Sequence, residues 1–150
     1  MADIKSPEKR SQNMAKIRSR DTTPEVWLRK KLFSYGYRYR KNVSSVIGHP
    51  DAFFAKYNTA LFVHGCFWHR HLNCKYAYMP KTRVEFWEEK FARNIARDET
   101  VRESLLEKQV KMLVVWECTV KRMMRSNDAE LATMTAIEAF LKSDDLHLEL

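Results

Sequence analysis

Glycine and proline are scarce in this chain, at 3 and 4 of 150 residues. That scarcity leaves little room for long flexible linkers. No run of about 18 apolar residues occurs, which excludes a helical membrane span. The first residues, MADIKSPEKRSQ, are polar and lack the apolar centre of a secretory signal. The expected compartment is therefore the cytoplasm. Cysteine is also sparse, and its 3 copies are an odd number. A disulfide framework does not suit that count, so metal ligation or simple burial is left for Cys66, Cys74 and Cys118. Negative charge is in deficit, with 19 Asp and Glu against 27 Lys and Arg, a net +8. A basic chain of this size suits a polyanion, because neutralising phosphates releases counterions. Hydrophobic residues at 45% and charged residues at 31% are ordinary for a globular domain.

Residues 1–20 carry Lys5, Lys9, Arg10, Lys16, Arg18 and Arg20. Ser6-Pro7-Glu8 reads as a helix start, with Met14 and Ile17 as a thin apolar stripe. A second start is Asp21-Thr22-Thr23-Pro24-Glu25, followed by Val26, Leu28, Leu32 and Phe33 at helical spacing. Gly36 ends that helix, and Tyr37-Arg38-Tyr39-Arg40 alternates as a half-exposed strand does. Asp51 to Phe54 and Ala60 to Val63 form an expected hairpin around a turn at Lys56 to Thr59. Thr82 is the expected cap of a long helix with Val84, Phe86, Trp87, Phe91, Ile95, Val101 and Leu105 inward. Met112 to Trp116 is a continuous apolar run, as in a strand covered on both faces. A last helix spans about 128–142, with Leu131, Met134, Ile137 and Phe140 inward. This order predicts an α/β domain over 21–150 with a central mixed sheet flanked by helices. A basic segment over 1–20 precedes it.

The strongest local signal is HGCFWHRHLNCK at 64–75. Cys66, His71 and Cys74 fall within nine residues, and Cys118 follows the apolar strand. Three thiolates and an imidazole form the closed tetrahedral set that structural Zn²⁺ prefers; two buried free thiols beside exposed histidines are the bland alternative. Asp51 after Pro50 opens a strand, where a carboxylate beside a main-chain carbonyl suits Mg²⁺, with Glu25 in reach from a helix. The bland reading is that Pro-Asp merely starts a turn. With His71 given to zinc, His64 and His69 remain near that site as proton acceptors or as surface residues. Phe67, Trp68 and Trp87 stand beside basic residues, as wedges between bases do. Core packing is expected instead for Phe86, Phe91 and Trp116.

These residues resemble the very short patch repair DNA mismatch endonucleases over roughly residues 8–120. Four blocks carry the likeness: Arg10 to Met14 with Ile17 to Thr22; Gly48-His49-Pro50-Asp51; Phe62 to His69; and Thr82 to Trp87 with Val114 to Cys118. The resemblance implies a restriction-endonuclease-like fold. It implies Mg²⁺-dependent nicking of one strand, 5′ to the T of a T:G mismatch in double-stranded DNA. It assigns Asp51 to Mg²⁺, with the Val63 main-chain carbonyl beside it. His69 becomes the general base, and His64 and Glu25 supporting catalytic groups. Cys66, His71, Cys74 and Cys118 become the Zn²⁺ ligands of a zinc-stapled loop, and Phe67, Trp68 and Trp87 the intercalating aromatics. The basic residues Arg10, Lys16, Arg18 and Arg20 would engage DNA. A monomer is expected, working in the cytoplasm on nucleoid DNA, with other repair proteins as partners. Two rival classes are a non-catalytic zinc-containing DNA-binding module and a zinc hydrolase. Asp51, Glu25 and two spare histidines argue against the first. A metal filled by three thiolates argues against the second.

Overall fold

The computed structural model describes residues 21–150. The expected helix from Ser6, and with it Arg10, Lys16, Arg18 and Arg20, lies outside the described residues. Helix α1 spans Thr23–Ser34, with Pro24 in its first turn. The Glu25 carboxylate accepts the Asp21 N–H at 2.7 Å, satisfying a donor just ahead of the helix. Leu28 and Leu32, one turn apart, are fully buried. Phe33 is not inward as expected; it is 53% exposed, one residue round from Leu32. Beyond the helix, Tyr37 is buried and Arg38 exposed, the expected alternation, but ladder pairing is confined to strand β1, Arg40–Lys41.

Strand β2, Ala52–Phe54, and strand β3, Thr59–His64, form the expected antiparallel hairpin. A 3₁₀ turn at Ala55–Tyr57 and a left-handed Asn58 connect them. Strand β4, Lys111–Trp116, lies parallel to β3, with His64 opposite Trp116. Both central strands are buried along their whole length, as their apolar runs require. The short strand β5, His147–Glu149, pairs parallel to β4 and was not foreseen. The mixed sheet runs β1-β2-β3-β4-β5. Strand periodicity divides the core. Leu61, Val63, Leu113 and Val115 face one side, with Leu28 and Ile137. Ala60, Phe62, Met112 and Val114 face the other, with Leu105 and Cys66.

Helix α2, Val84–Glu107, joins β3 to β4. Thr82 does not cap it; the residue ahead of the helix is Arg83, in the left-handed region. The expected apolar stripe is core only in part, with Val101 packed half-buried against the sheet and Trp87 half-buried. Val84, Phe86 and Ile95 are 39%, 40% and 50% exposed, and Phe91, Asn94 and Leu105 are buried. The helix rests its first half on the loop after β3 rather than on the sheet, so few side chains are covered. Helix α3, Glu117–Arg125, follows β4 and was missed, because Val120 and Met123 alone make its apolar stripe. Helix α4, Asn127–Leu141, matches the expected last helix, and the Ser126 hydroxyl caps it by accepting the Ala129 N–H. Met134, Ile137 and Phe140 are buried as expected, while Leu131 is 62% exposed. The buried Lys111 ammonium donates to the carbonyls of Phe140, Leu141 and Ser143, completing the end of α4. Among the described residues no helix is long and apolar enough to cross a membrane.

Candidate active site and metal centre

The hairpin register places Asp51 beside the end of β3. Its N–H donates to the Leu61 carbonyl at 2.9 Å, and its carboxylate accepts the Val63 N–H at 2.6 Å. Glu25 reaches the same place from α1 and is only 5% exposed. Burial pushes the Asp51 carboxyl up to about 7; the neighbouring Glu25 charge adds to this, against the Val63 N–H and Arg29. Arg29 was not foreseen. Its guanidinium donates to Asp21 at 2.6 Å, lies 3.6 Å from Glu25 and points a second N–H at the Asp51 carbonyl, 3.5 Å away. The one sequence signal for it is the Glu25–Arg29 spacing of one helical turn.

His64 ends β3 and is 8% exposed. The His69 ring stacks on it, centroids 3.9 Å apart and planes within 3°. Burial, and then His69, lower the His64 imidazole to about 3, so it is neutral at physiological pH. His69 Nδ1 lies 2.7 Å from an Asp98 carboxylate oxygen. A carboxylate accepts, so Nδ1 is the donor of this pair and Nε2 is the nitrogen left for other partners. Asp98 also escaped the sequence reading, being one acid in a highly charged helix. Glu25, Asp51, Val63, His64, His69 and Asp98 all line one cavity of about 360 Å³. Gly48 lines it too, with φ +87°; a Cβ there would stand 2.6 Å from Val101 Cγ1, so glycine is required.

A second cluster lies in the loop after β3. One ligand atom each from Cys66, His71, Cys74 and Cys118 lies within 4.8 Å of the others. A tetrahedral Zn²⁺ with ordinary bond lengths sets sulfur and nitrogen about 3.5 Å apart. The Cys118 Sγ to His71 Nδ1 distance is 3.4 Å, so the donor set fits that ion. The His71 ring stacks on Trp116, centroids 4.2 Å apart, which holds it toward the cysteines. His69 belongs to the other group. His64, His69 and Asp98 also converge within 4.8 Å. The parallel stacking of the two imidazoles, however, puts their in-plane lone pairs in separate planes, which disfavours joint ligation of one ion.

The loop after β3 and the start of α2 also carry an aromatic array. Phe67 contacts Trp68, Tyr78, Trp87 and Phe91 at centroid distances of 5.0 to 5.6 Å. Phe91 and Trp116 are buried as expected, but Phe86 is not core; it is exposed beneath the Arg83 guanidinium. Phe67, Trp68 and Trp87 are half-buried, and Phe67 meets both indoles edge to face.

The family profile described as DNA mismatch endonuclease Vsr matches residues 2–75. A type II nicking enzyme of Neisseria meningitidis is 48% identical over 122 residues, covering 81% of this chain and 86% of that protein. Another, from Xanthomonas oryzae pv. oryzae, is 38% identical over 95% of this chain and 96% of its own. The DNA mismatch endonuclease Vsr of Escherichia coli is 38% identical over 131 residues, 87% of this chain and 83% of its own. With that coverage, the chain belongs to the Vsr family of DNA mismatch endonucleases.

Proposed function

We propose that the protein nicks one strand of duplex DNA 5′ to the T of a T:G mismatch, by Mg²⁺-dependent hydrolysis, in very short patch repair. The observation that carries this reading is the convergence of Glu25, Asp51, His64 and His69 on one cavity. The fold would be restriction-endonuclease-like, a single domain over 21–150 with residues 1–20 as its DNA-engaging arm. The protein would act as a cytoplasmic monomer on nucleoid DNA.

Asp51 would hold Mg²⁺ with the Val63 carbonyl, and Glu25 would help directly or through water. A carboxyl kept near 7 by burial is a site that a cation completes. When bound, Mg²⁺ supplies stabilisation of charge on the phosphate and the leaving oxygen. His69 Nε2 takes the proton of the attacking water, and Asp98 steadies the imidazolium that results. Neutral His64 keeps the His69 ring aligned and adds no charge. Cys66, His71, Cys74 and Cys118 would hold Zn²⁺ with four protein ligands, which would serve structure and supply no chemistry. Those ligands fix the loop that aims His69 and the aromatics. Phe67, Trp68 and Trp87 enter the base stack at the mismatch, where unstacking costs least. Arg10, Lys16, Arg18 and Arg20 would grip phosphates.

The test is nicking of T:G and T:A duplexes with Mg²⁺ or with chelator. Nicking confined to T:G with Mg²⁺ is expected; equal nicking of both duplexes refutes the specificity. Stacking is worth about 1–3 kcal/mol per base, so Trp68→Ala should lose roughly 5–150-fold on T:G and narrow the gap to T:A. Its melting temperature separates this from a packing role, since a strongly destabilised variant would mean that Trp68 serves the core.

A pH signature should accompany the cation. The Asp51 carboxyl is raised above its ordinary value, so its ionisation destabilises the metal-free fold as pH rises toward about 7. Mg²⁺ binds the ionised form. Its stabilising shift in melting temperature should therefore be small at about pH 5.5 and larger at about pH 8. A shift independent of pH would place the ion elsewhere.

A further inference from the structure

The catalytic cavity brings Glu25, Asp51 and Asp98 together, and three carboxylates repel the phosphodiester that must enter. Nearby positive charge is mostly committed. Arg29 is engaged with Asp21, Glu25 and the Asp51 carbonyl. His64 is neutral. Among the described residues lining the cavity, Arg97 is the one lysine or arginine. It sits on α2 next to Asp98 and is exposed.

The position of Arg97 is set from one turn earlier. Its Nη2 donates to the Asn94 side-chain oxygen at 2.6 Å. Asn94 is 9% exposed, and its amide nitrogen donates to the Trp68 carbonyl at 3.0 Å. Both ends of the amide are used, and the reverse orientation would set donor against donor at Arg97. An unbroken line of hydrogen bonds thus runs from the aromatic loop to the cavity. One guanidinium N–H is spent on Asn94, and a guanidinium has five. The others can serve a phosphate oxygen in the charge-assisted geometry that arginine favours.

We propose that Arg97 is a catalytic residue that grips the scissile phosphate, and that Asn94 is a positioning residue that ties Arg97 to the Trp68 loop. Through Asn94, a Trp68 loop seated on DNA would hold Arg97, so that the phosphate is held in line when the aromatics are in place. Mismatch recognition and cleavage are coupled through a side chain rather than through the metal. This rests on the nuclease reading above.

The experiment measures single-turnover nicking at saturating protein, DNA affinity and melting temperature, on T:G and T:A duplexes. Arg97→Ala should nick T:G about 10²-fold more slowly, as loss of one transition-state donor does, with affinity and melting temperature little changed. Arg97→Lys should recover part of the rate, since it restores charge without the planar fork. Asn94→Asp keeps the acceptor for Arg97 and removes the donor to Trp68. It should narrow the T:G to T:A rate ratio by about tenfold, the worth of one hydrogen bond. Asn94→Leu, which removes both bonds and adds no charge, covers the case in which the new buried charge lowers the melting temperature. Wild-type nicking by Arg97→Ala, or a loss of affinity with the saturated rate intact, overturns the catalytic role. An unchanged ratio in folded Asn94 variants overturns the coupling. Asp51→Asn is run in parallel. If it nicks normally, the nuclease site itself is misplaced; if it is silent while Arg97→Ala is normal, this inference alone fails.

Discussion

Asp51→Asn is expected to nick a T:G duplex at least about 10³-fold more slowly than the unaltered protein. Metal-borne stabilisation of phosphate charge is worth several kcal/mol, and each 1.36 kcal/mol is a factor of ten. The amide keeps the carboxylate's shape, and its oxygen can still accept the Val63 N–H. DNA affinity should survive, because lysine and arginine contacts to phosphate supply most of it. Stability should move opposite to activity. Above pH 7, without divalent metal, the unaltered chain holds an ionised Asp51 beside Glu25 in a buried place. The variant does not, so at about pH 8 in chelator its melting temperature should equal or exceed that of the parent. A variant that is both inactive and clearly less stable would show that the fold needs the carboxylate and would remove the case for a cation there.

Cys118→Ser should have the second largest effect, on stability first. Structural Zn²⁺ contributes on the order of 10 kcal/mol in small domains, comparable with the whole stability of a domain this size. Losing one thiolate should empty the site, read as the disappearance of one zinc per chain by native mass spectrometry. A deficit of that scale lowers the melting temperature by more than about 10 °C. Nicking should fall too, because His69 lies between Cys66 and His71 in sequence. A stable, metal-free Cys118→Ser that melts like the parent would leave the cysteines as ordinary buried thiols.

The sheet was legible wherever apolar runs were unambiguous. Ala60 to Val63 and Met112 to Trp116 became β3 and β4, and Asp51 led into β2. Periodicity failed where a helix does not rest on the sheet. Val84, Phe86 and Ile95 read as a buried stripe, yet the first half of α2 meets a loop. Helix α3 was hidden because a nine-residue helix pressed on one side needs few apolar residues. The site divides in the same way. Residues within a compact motif or a hairpin, such as Cys66, His71 and Asp51, can be picked out by spacing, and the fold brings Cys66 and His71 together and sets Asp51 beside Val63. Asn94 and Asp98 meet partners far away in sequence, Trp68 and His69, and Arg29 reaches Asp51 as well as its helical neighbours. Asp98 meets His69 across 29 residues, and no local pattern encodes that encounter. The family likeness supplied roles for Glu25, His64 and Val63 that spacing alone left open.

The parallel pairing of β3 with β4 has a consequence for the order of assembly. Cys118 lies 52 residues after Cys66, with all of α2 between them. A chain made from its N-terminus exposes Cys66, His71 and Cys74 well before Cys118. If the cluster holds zinc, an ion captured at that stage would have three protein ligands and one open position, the arrangement of a reactive rather than an inert zinc. The fourth ligand would arrive when β4 docks beside β3 and brings Trp116 opposite His64. Completion of such a centre would report that the strands have registered correctly. A nascent chain stalled in α2 would then carry a labile metal, open to exchange and to oxidation of its thiolates, as a completed centre would not.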